Sequence, residues 1–209
     1  MEKAFEPYVD GSTNTVIKVV GVGGAGGNAV NHMYDLGITD VTFMVCNTDR
    51  QALNASPVPI KVQLGEGLGA GNDPNKGRQA AIESLDDIVL RFEQEGTKMV
   101  FVTAGMGGGT GTGAAPVIAK AAREELRKNV DSLVVIHNDN IAKIYGSLPL
   151  EEAFGKADDI LATAAKGIAE LITREGNVNV DFADVKAVMT DGGMALMGSG
   201  RASGEDKIA

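Results

Sequence analysis

The sequence predicts an α/β fold, a parallel sheet covered by helices on both faces. Two observations carry this. Short apolar runs of five to seven residues alternate with longer stretches of helical spacing, the pattern of strands separated by crossover helices. The turn after each run is also rich in Gly, Asn or Asp. In open parallel sheets ligands bind beyond the carboxyl ends of the strands, which is where those turns fall. The pattern that sets the fold therefore also places the site.

The elements follow in order. Residues 1–15 read as a polar extension. Val16–Val22 (Val-Ile-Lys-Val-Val-Gly-Val) is a strand that runs into Gly23–Gly27 and a helix from about Asn28 to Leu36. Val41–Cys46 is a second strand, ending at Asn47-Thr48-Asp49. Ile60–Leu64 makes a short third, followed by the glycine-rich stretch Gly65–Gly77 and a helix over Arg78–Glu95. Met99–Thr103 is a buried-strand pattern, and Ala114–Glu125 has helical spacing with Pro116 in its first turn. Ser132–Ile136 is a further strand, ending near Asn138-Asp139. A long helix spans Pro149–Arg174, with Leu150, Phe154, Leu161, Ala165, Ile168, Leu171 and Ile172 recurring on one face.

Between the fourth strand and its helix the chain reads Gly-Gly-Gly-Thr-Gly-Thr-Gly from Gly107 to Gly113. Glycines let the backbone approach a ligand closely, and the following helix presents free N–H groups and its positive end to the same spot. Thr110 and Thr112 add hydroxyls. This is a phosphate cradle. Gly21, Gly23 and Gly26 also match G-x-G-x-x-G between a strand and a helix, with Asp49 after the second strand as a candidate ribose ligand. A dinucleotide enzyme needs one pyrophosphate loop, however, and here there are two glycine loops, with extra glycines at Gly24 and Gly27. No G-x-x-x-x-G-K-[ST] occurs. A mononucleotide triphosphate held without a P-loop lysine is the better fit.

Composition narrows the classes. A net charge of −9 without a basic cluster argues against a nucleic-acid surface. The lone Cys46 forbids an internal disulfide and fits a reducing compartment. His32 and His137 stand apart without cysteine neighbours, which leaves little for a zinc site. No apolar run reaches transmembrane length and the first 15 residues are too polar for a signal peptide, so a cytoplasmic chain without membrane insertion is expected.

Gly21–Asn28, Asn47-Thr48-Asp49, Gly67–Gly71 and Ala104–Gly113 resemble the tubulin/FtsZ superfamily of GTPases. The last of these is close to diagnostic. Val130–Ile136, Ala153–Leu161 and Asn179–Val185 carry the likeness on toward the FtsZ branch, which acts in bacterial cell division. The resemblance implies a Rossmann-like sheet and a long central helix. It divides the chain into a GTP-binding domain at 16–148, the central helix at 149–176, and a synergy loop with the start of a second domain at 177–209.

It also implies GTP or GDP and Mg²⁺ as ligands. Gly23, Gly24 and Asn28 would meet the nucleotide at the first helix. Ala70, Gly71 and Asn72 would close over the terminal phosphate, and Gly107, Gly108, Gly109, Thr110, Gly111, Thr112 and Gly113 would hold the inner phosphates. Asp49 would act near Mg²⁺ or its waters; its plainer, less favoured reading is a turn or helix-cap aspartate. Asn138 and Asp158 resemble guanine-edge ligands, and Phe154, one helical turn before Asp158, would stack on the base. Without the likeness Phe154 reads as a core residue. Asn179, Asp181 and Asp184 would belong to a synergy loop that completes the neighbouring subunit's site and polarises the attacking water. Read without the likeness, Gly176–Asp184 is a helix end, a turn and a capped helix start. The implied partners are further copies of the chain, assembled head to tail at the division site, and membrane-anchoring proteins recruited through a tail beyond residue 209.

Two departures stand out. Ala121–Glu125 runs straight into Leu126–Asp131, where the family has a strand–helix unit of roughly thirty residues that supplies a glutamate and an arginine to the nucleotide. Either the molecule lacks that unit or the sequence as written omits it. The family also continues past the end of this chain into a second α/β domain. These features keep a second reading open, a guanine-nucleotide-binding module without turnover or polymerisation. Smaller departures are His137, where proline is usual, and Ala25 within the first glycine loop.

Overall fold

The computed structural model describes residues 15–39, 41–93, 97–125, 148–173 and 182–189. Their centre is a four-stranded parallel sheet, order β3-β2-β1-β4, built from β1 (Ile17–Val22), β2 (Thr42–Asn47), β3 (Ile60–Gln63) and β4 (Met99–Ala104). Seven helices are described: α1 (Gly23–Asp35), α2 (Arg50–Ala55), α3 (Pro74–Glu83), α4 (Leu85–Glu93), α5 (Gly109–Glu125), α6 (Leu150–Thr173) and α7 (Phe182–Met189). Among the described residues no helix is long and apolar enough to cross a membrane.

Period-two alternation along β1 sends Ile17 and Val19 to one face, Lys18, Val20 and Val22 to the other. On the first face lie Val30 and Met33 of α1, Leu53 of α2, and Ala162, Ala165, Ile168 and Ala169 of α6. On the second lie Ala81 of α3, Ile88 and Phe92 of α4, and Ala114, Ala115, Ile118 and Ala122 of α5. Both faces are thus covered, as the near-continuous apolar strands require. Lys18 is fully buried in the second layer; its ammonium donates to the Arg91 carbonyl near the end of α4 and lies 5.6 Å from the centre of the Phe92 ring.

Several boundaries differ from the sequence expectation, each for a local reason. The Arg78–Glu95 helix is two helices, and it starts earlier. Asp73 caps α3 by accepting from the Asn75 amide, with Pro74 at the first helical position. The break falls at Ser84, whose hydroxyl donates to the Gln63 carbonyl and accepts from the Gly65 amide, tying the turn to the end of β3. Helix α5 begins at Gly109, not Ala114, so Pro116 is interior and not in the first turn. Helix α1 likewise begins at Gly23, so Gly24–Gly27 are helical and not loop. The short helix α2 was not anticipated. The strand expected at Ser132–Ile136 lies outside the described residues.

Candidate nucleotide site

The chain leaves β1 to build β2 and β3 on one side, then crosses back to place β4 on the other side of β1. The crevice where that direction reverses, between the carboxyl ends of β1 and β4, is where doubly wound sheets bind ligands. Both glycine turns lie there. A cleft of about 230 Å³ opens between them, walled by Val22, Gly24 and Ala25 on one side and by Gly105, Met106 and Gly108 on the other, with the start of α5 behind. The amino ends of α1 and α5 both border it, and a helix amino end carries N–H groups without intrahelical partners and a partial positive charge.

The glycines divide into two kinds. At Gly26 a methyl group would run into the Thr103 carbonyl, with Ala104 Cα at 3.2 Å; at Gly111 it would run into the Gly105 carbonyl. Gly109 would meet Ala70 Cβ and the Asp73 amide, each at 2.8 Å, and Gly113 would strike α3 at Pro74. These glycines let backbone pack on backbone. At Gly24, Gly27 and Gly107, by contrast, nothing lies within 4 Å, and Gly108 meets only the Asn72 side-chain oxygen at 3.9 Å. Of these bare positions, Gly24 and Gly108 border the cleft and Gly27 borders a narrower pocket along α1. Gly23 (φ 73°) and Gly107 (φ 93°) take the left-handed backbone that turns each strand end into its helix.

Hydrogen bonds fix the walls. The Gly107 amide donates to Thr112 Oγ1 at 3.0 Å, closing the second turn on itself. Thr110 and Thr48 share a hydroxyl contact of 2.5 Å, which ties α5 to the end of β2. Gln63 Nε2 reaches the carbonyls of Asn47 and Thr48 from β3 and steadies the same corner. The loop carrying Ala70, Gly71 and Asn72 lies against Gly108 and Gly109, and Asn72 adopts φ 61°. Arg50 anchors that loop by donating to the Glu66 carbonyl at 2.8 Å.

A second, narrower pocket lies along α1, lined by Gly24, Gly27, Asn28, Asn31 and the end of β2; Gly24 borders both. Asn31 was not picked out from the sequence, although it stands three residues after Asn28 on one helical face. Cys46 borders this second pocket, but burial pushes its thiol up to about 12 against the pull of Lys18, so it stays protonated and inert.

Asp49 stands at the end of β2 and caps α2; its Oδ1 accepts from the amides of Gln51 (2.8 Å) and Ala52 (3.2 Å). Among the described residues no group of three His, Cys, Asp or Glu is placed to hold a metal ion. A lone, exposed carboxylate of this kind suits a Mg²⁺ carried chiefly by phosphate oxygens and water.

Further along, α1 packs against α6, which carries Phe154 and Asp158. Asp158 is half-buried. Burial raises its pKa above the ordinary carboxylate value, with His32 pulling down and Asp159 adding to the rise. Asp184 lies exposed in the first turn of α7, a position favoured for an acidic side chain. Asn138, Asn179 and Asp181 lie outside the described residues.

Comparison with known proteins agrees with this geometry. The family model of the tubulin/FtsZ GTPase domain matches residues 16–129. The chain is 46% identical to the cell division protein FtsZ of Porphyromonas gingivalis, over 96% of this chain and 51% of that protein. It is 47% identical to that of Buchnera aphidicola, over 97% and 61%. The chain thus spans half to three fifths of the length of these relatives. The first alignment runs over 234 residues against 209 in the chain, so the relative carries at least 25 residues inside the matched span that this chain lacks. Among solved structures, an FtsZ dimer from M. jannaschii superposes with a TM-score of 0.73 at 38% identity, covering 85% of this chain and 61% of that one. CetZ2 from Haloferax volcanii shares the fold, with a TM-score of 0.65 at 21% identity. On the family model and these relatives together, the chain belongs to the tubulin/FtsZ family of GTPase domains.

Proposed function

We propose that this chain binds GTP and GDP in the crevice between β1 and β4, as the nucleotide-binding part of a cytoskeletal GTPase of bacterial cell division. One observation carries the reading. Bare glycine Cα atoms from two separate turns border one cleft that faces the amino ends of two helices, and such a cleft suits a chain of phosphates better than any other common ligand. Gly23, Gly24 and Gly107–Gly111 receive the phosphates. Thr112 and Gly113 shape the turn and its packing on α3, and Ala70–Asn72 cover the outer end. Asn28 leads toward the nucleoside; Phe154, Asp158 and Asn138 take the base. Asp158, as a carboxylate, accepts from the guanine N1–H and N2 amino group, which adenine cannot supply.

Mg²⁺, bound with the nucleotide, would supply charge neutralisation at the phosphates, and Asp49 is the carboxylate placed to meet its water shell. Hydrolysis needs a second copy. Asn179, Asp181 and Asp184 of one subunit enter the next subunit's cleft, where the acidic pair orients water for attack on the γ-phosphorus as its bond to the bridging oxygen breaks. That contact is head to tail and propagates as a filament. In the whole protein this occurs in the cytoplasm at the division site, with membrane-anchoring proteins recruited through a tail beyond residue 209.

The residues missing from within the matched span favour a second reading, nucleotide binding without turnover. The GTP hydrolysis rate per subunit, measured against protein concentration, separates the two. Assembly-coupled catalysis gives a steep rise that Asp184→Ala abolishes while GTP still binds. A flat background rate leaves the binding module. Tight NAD binding in place of GDP would defeat both.

A further inference from the structure

His32 lies on α1 two turns beyond Gly24, about 12 Å along the axis, with Asn28 midway. At that distance from the phosphate turns it meets α6. Its Nε2 lies 3.3 Å from Asp159 Oδ1, and Lys156 donates to Asp159 Oδ2 at 3.2 Å. Burial works to raise Asp159, but the hydrogen bonds and charges of Lys156 and His32 outweigh it and hold the carboxyl below its ordinary range. An ionised carboxylate only accepts, so the imidazole carries its proton on Nε2. Both oxygens of Asp159 are then engaged. Asp158, next in sequence, accepts no hydrogen bond among the described residues and is the more buried of the two.

Two adjacent aspartates on α6, where it packs on α1, are two like charges, so a base-reading role for one requires that the other be held elsewhere. We propose that His32 is a specificity-determining positioning residue: by holding Asp159 against α1, it leaves Asp158 as the single acceptor presented to the base. The same side chain sits close enough to Asp158 to favour its ionised form. It also links the helix whose amino end meets the phosphates to the helix that reads the base. This inference rests on the assignment of Asp158 to guanine, and the test keeps the two apart.

GDP and inosine diphosphate differ only by the guanine N2 amino group, so the ratio of their affinities reads the carboxylate and not the phosphates. The ratio is measured by equilibrium titration of the nucleotide-free chain and of His32→Phe, His32→Gln and Asp158→Leu. His32→Phe keeps a ring but no donor. It is expected to lower the GDP preference about fivefold or more, the scale of one misaligned charged hydrogen bond. His32→Gln, whose amide can still donate to Asp159, keeps the preference within about twofold. Asp158→Leu, which has no acceptor, abolishes it. A His32→Phe variant that weakens GDP and inosine diphosphate equally has a merely structural effect, and that result overturns the proposal. So does loss of preference in Asp158→Leu with full preference retained in His32→Phe. Preference retained in Asp158→Leu overturns the guanine assignment itself.

Discussion

The two kinds of glycine at the cleft answer differently to one added methyl group, and Gly24 and Gly26, both in α1, make the contrast sharp. At Gly24 nothing lies within 4 Å of the new Cβ. Replacing a helical glycine by alanine then gains about 0.5–1 kcal/mol of stability, roughly 2 °C in Tm for a chain of this size. The same methyl projects into the space assigned to phosphate, and a loss of about 1.4 kcal/mol there weakens GDP tenfold. At Gly26 the Cβ meets the Thr103 carbonyl, with Thr103 C at 3.0 Å and Ala104 Cα at 3.2 Å. All of these atoms are β4 backbone and cannot rotate away. Helix α1 must lift, at about 1–3 kcal/mol, which lowers Tm by roughly 6 °C. Calorimetry of the nucleotide-free variants, followed by GDP titration, reads both effects. Equal Tm shifts in the two variants, or wild-type GDP affinity in Gly24→Ala, would refute the division.

Asp158 should be held at a cost to stability. Its folded pKa lies above the unfolded value of about 3.9. The stability it contributes is therefore fully present below that value and is lost as pH rises through the raised folded one. Asp158→Asn is expected to raise the Tm of the nucleotide-free protein at pH 7, with the advantage over wild type shrinking toward pH 4; an advantage that does not vary with pH would show that ionisation is not the cause. Lys18→Ala should lower stability by about 3 kcal/mol, because it opens a cavity under Phe92 and removes the donor to the Arg91 carbonyl. Lys18→Met, which refills the space, should recover part of that loss; urea midpoints with unchanged slope check both.

Strands β1 to β4 were legible because short runs rich in β-branched and other apolar residues end at Gly-, Asn- or Asp-bearing turns, and the long helix α6 because its apolar face repeats. The start of α5 was not. Gly109, Gly111 and Gly113 have poor helix propensity; glycine is required there because the Ala70–Asp73 loop, the Gly105 turn and α3, respectively, approach too closely for any side chain. The break at Ser84 was hidden for a similar reason. Its neighbours are good helix formers, and the hydroxyl that ends the helix bonds to β3, over twenty residues earlier in the chain.

At the site, the glycine turns and Asp49 were visible from the sequence alone. Which glycines border open space and which only pack was not, because a residue without a side chain leaves no trace of what it faces. Asp49 takes the helix-cap position that was the plainer of its two readings, while any contact with Mg²⁺ belongs to the proposal. His32 gave no local signal, since its partner lies 127 residues away.

The central claim is that the crevice between β1 and β4 is a guanine-nucleotide site. Equilibrium titration of GDP into the nucleotide-free chain tests it most directly. One GDP should bind per chain, displaced by GTP but not by ADP or NAD. Absence of saturable GDP binding, or displacement by ADP or NAD as readily as by GTP, would contradict it.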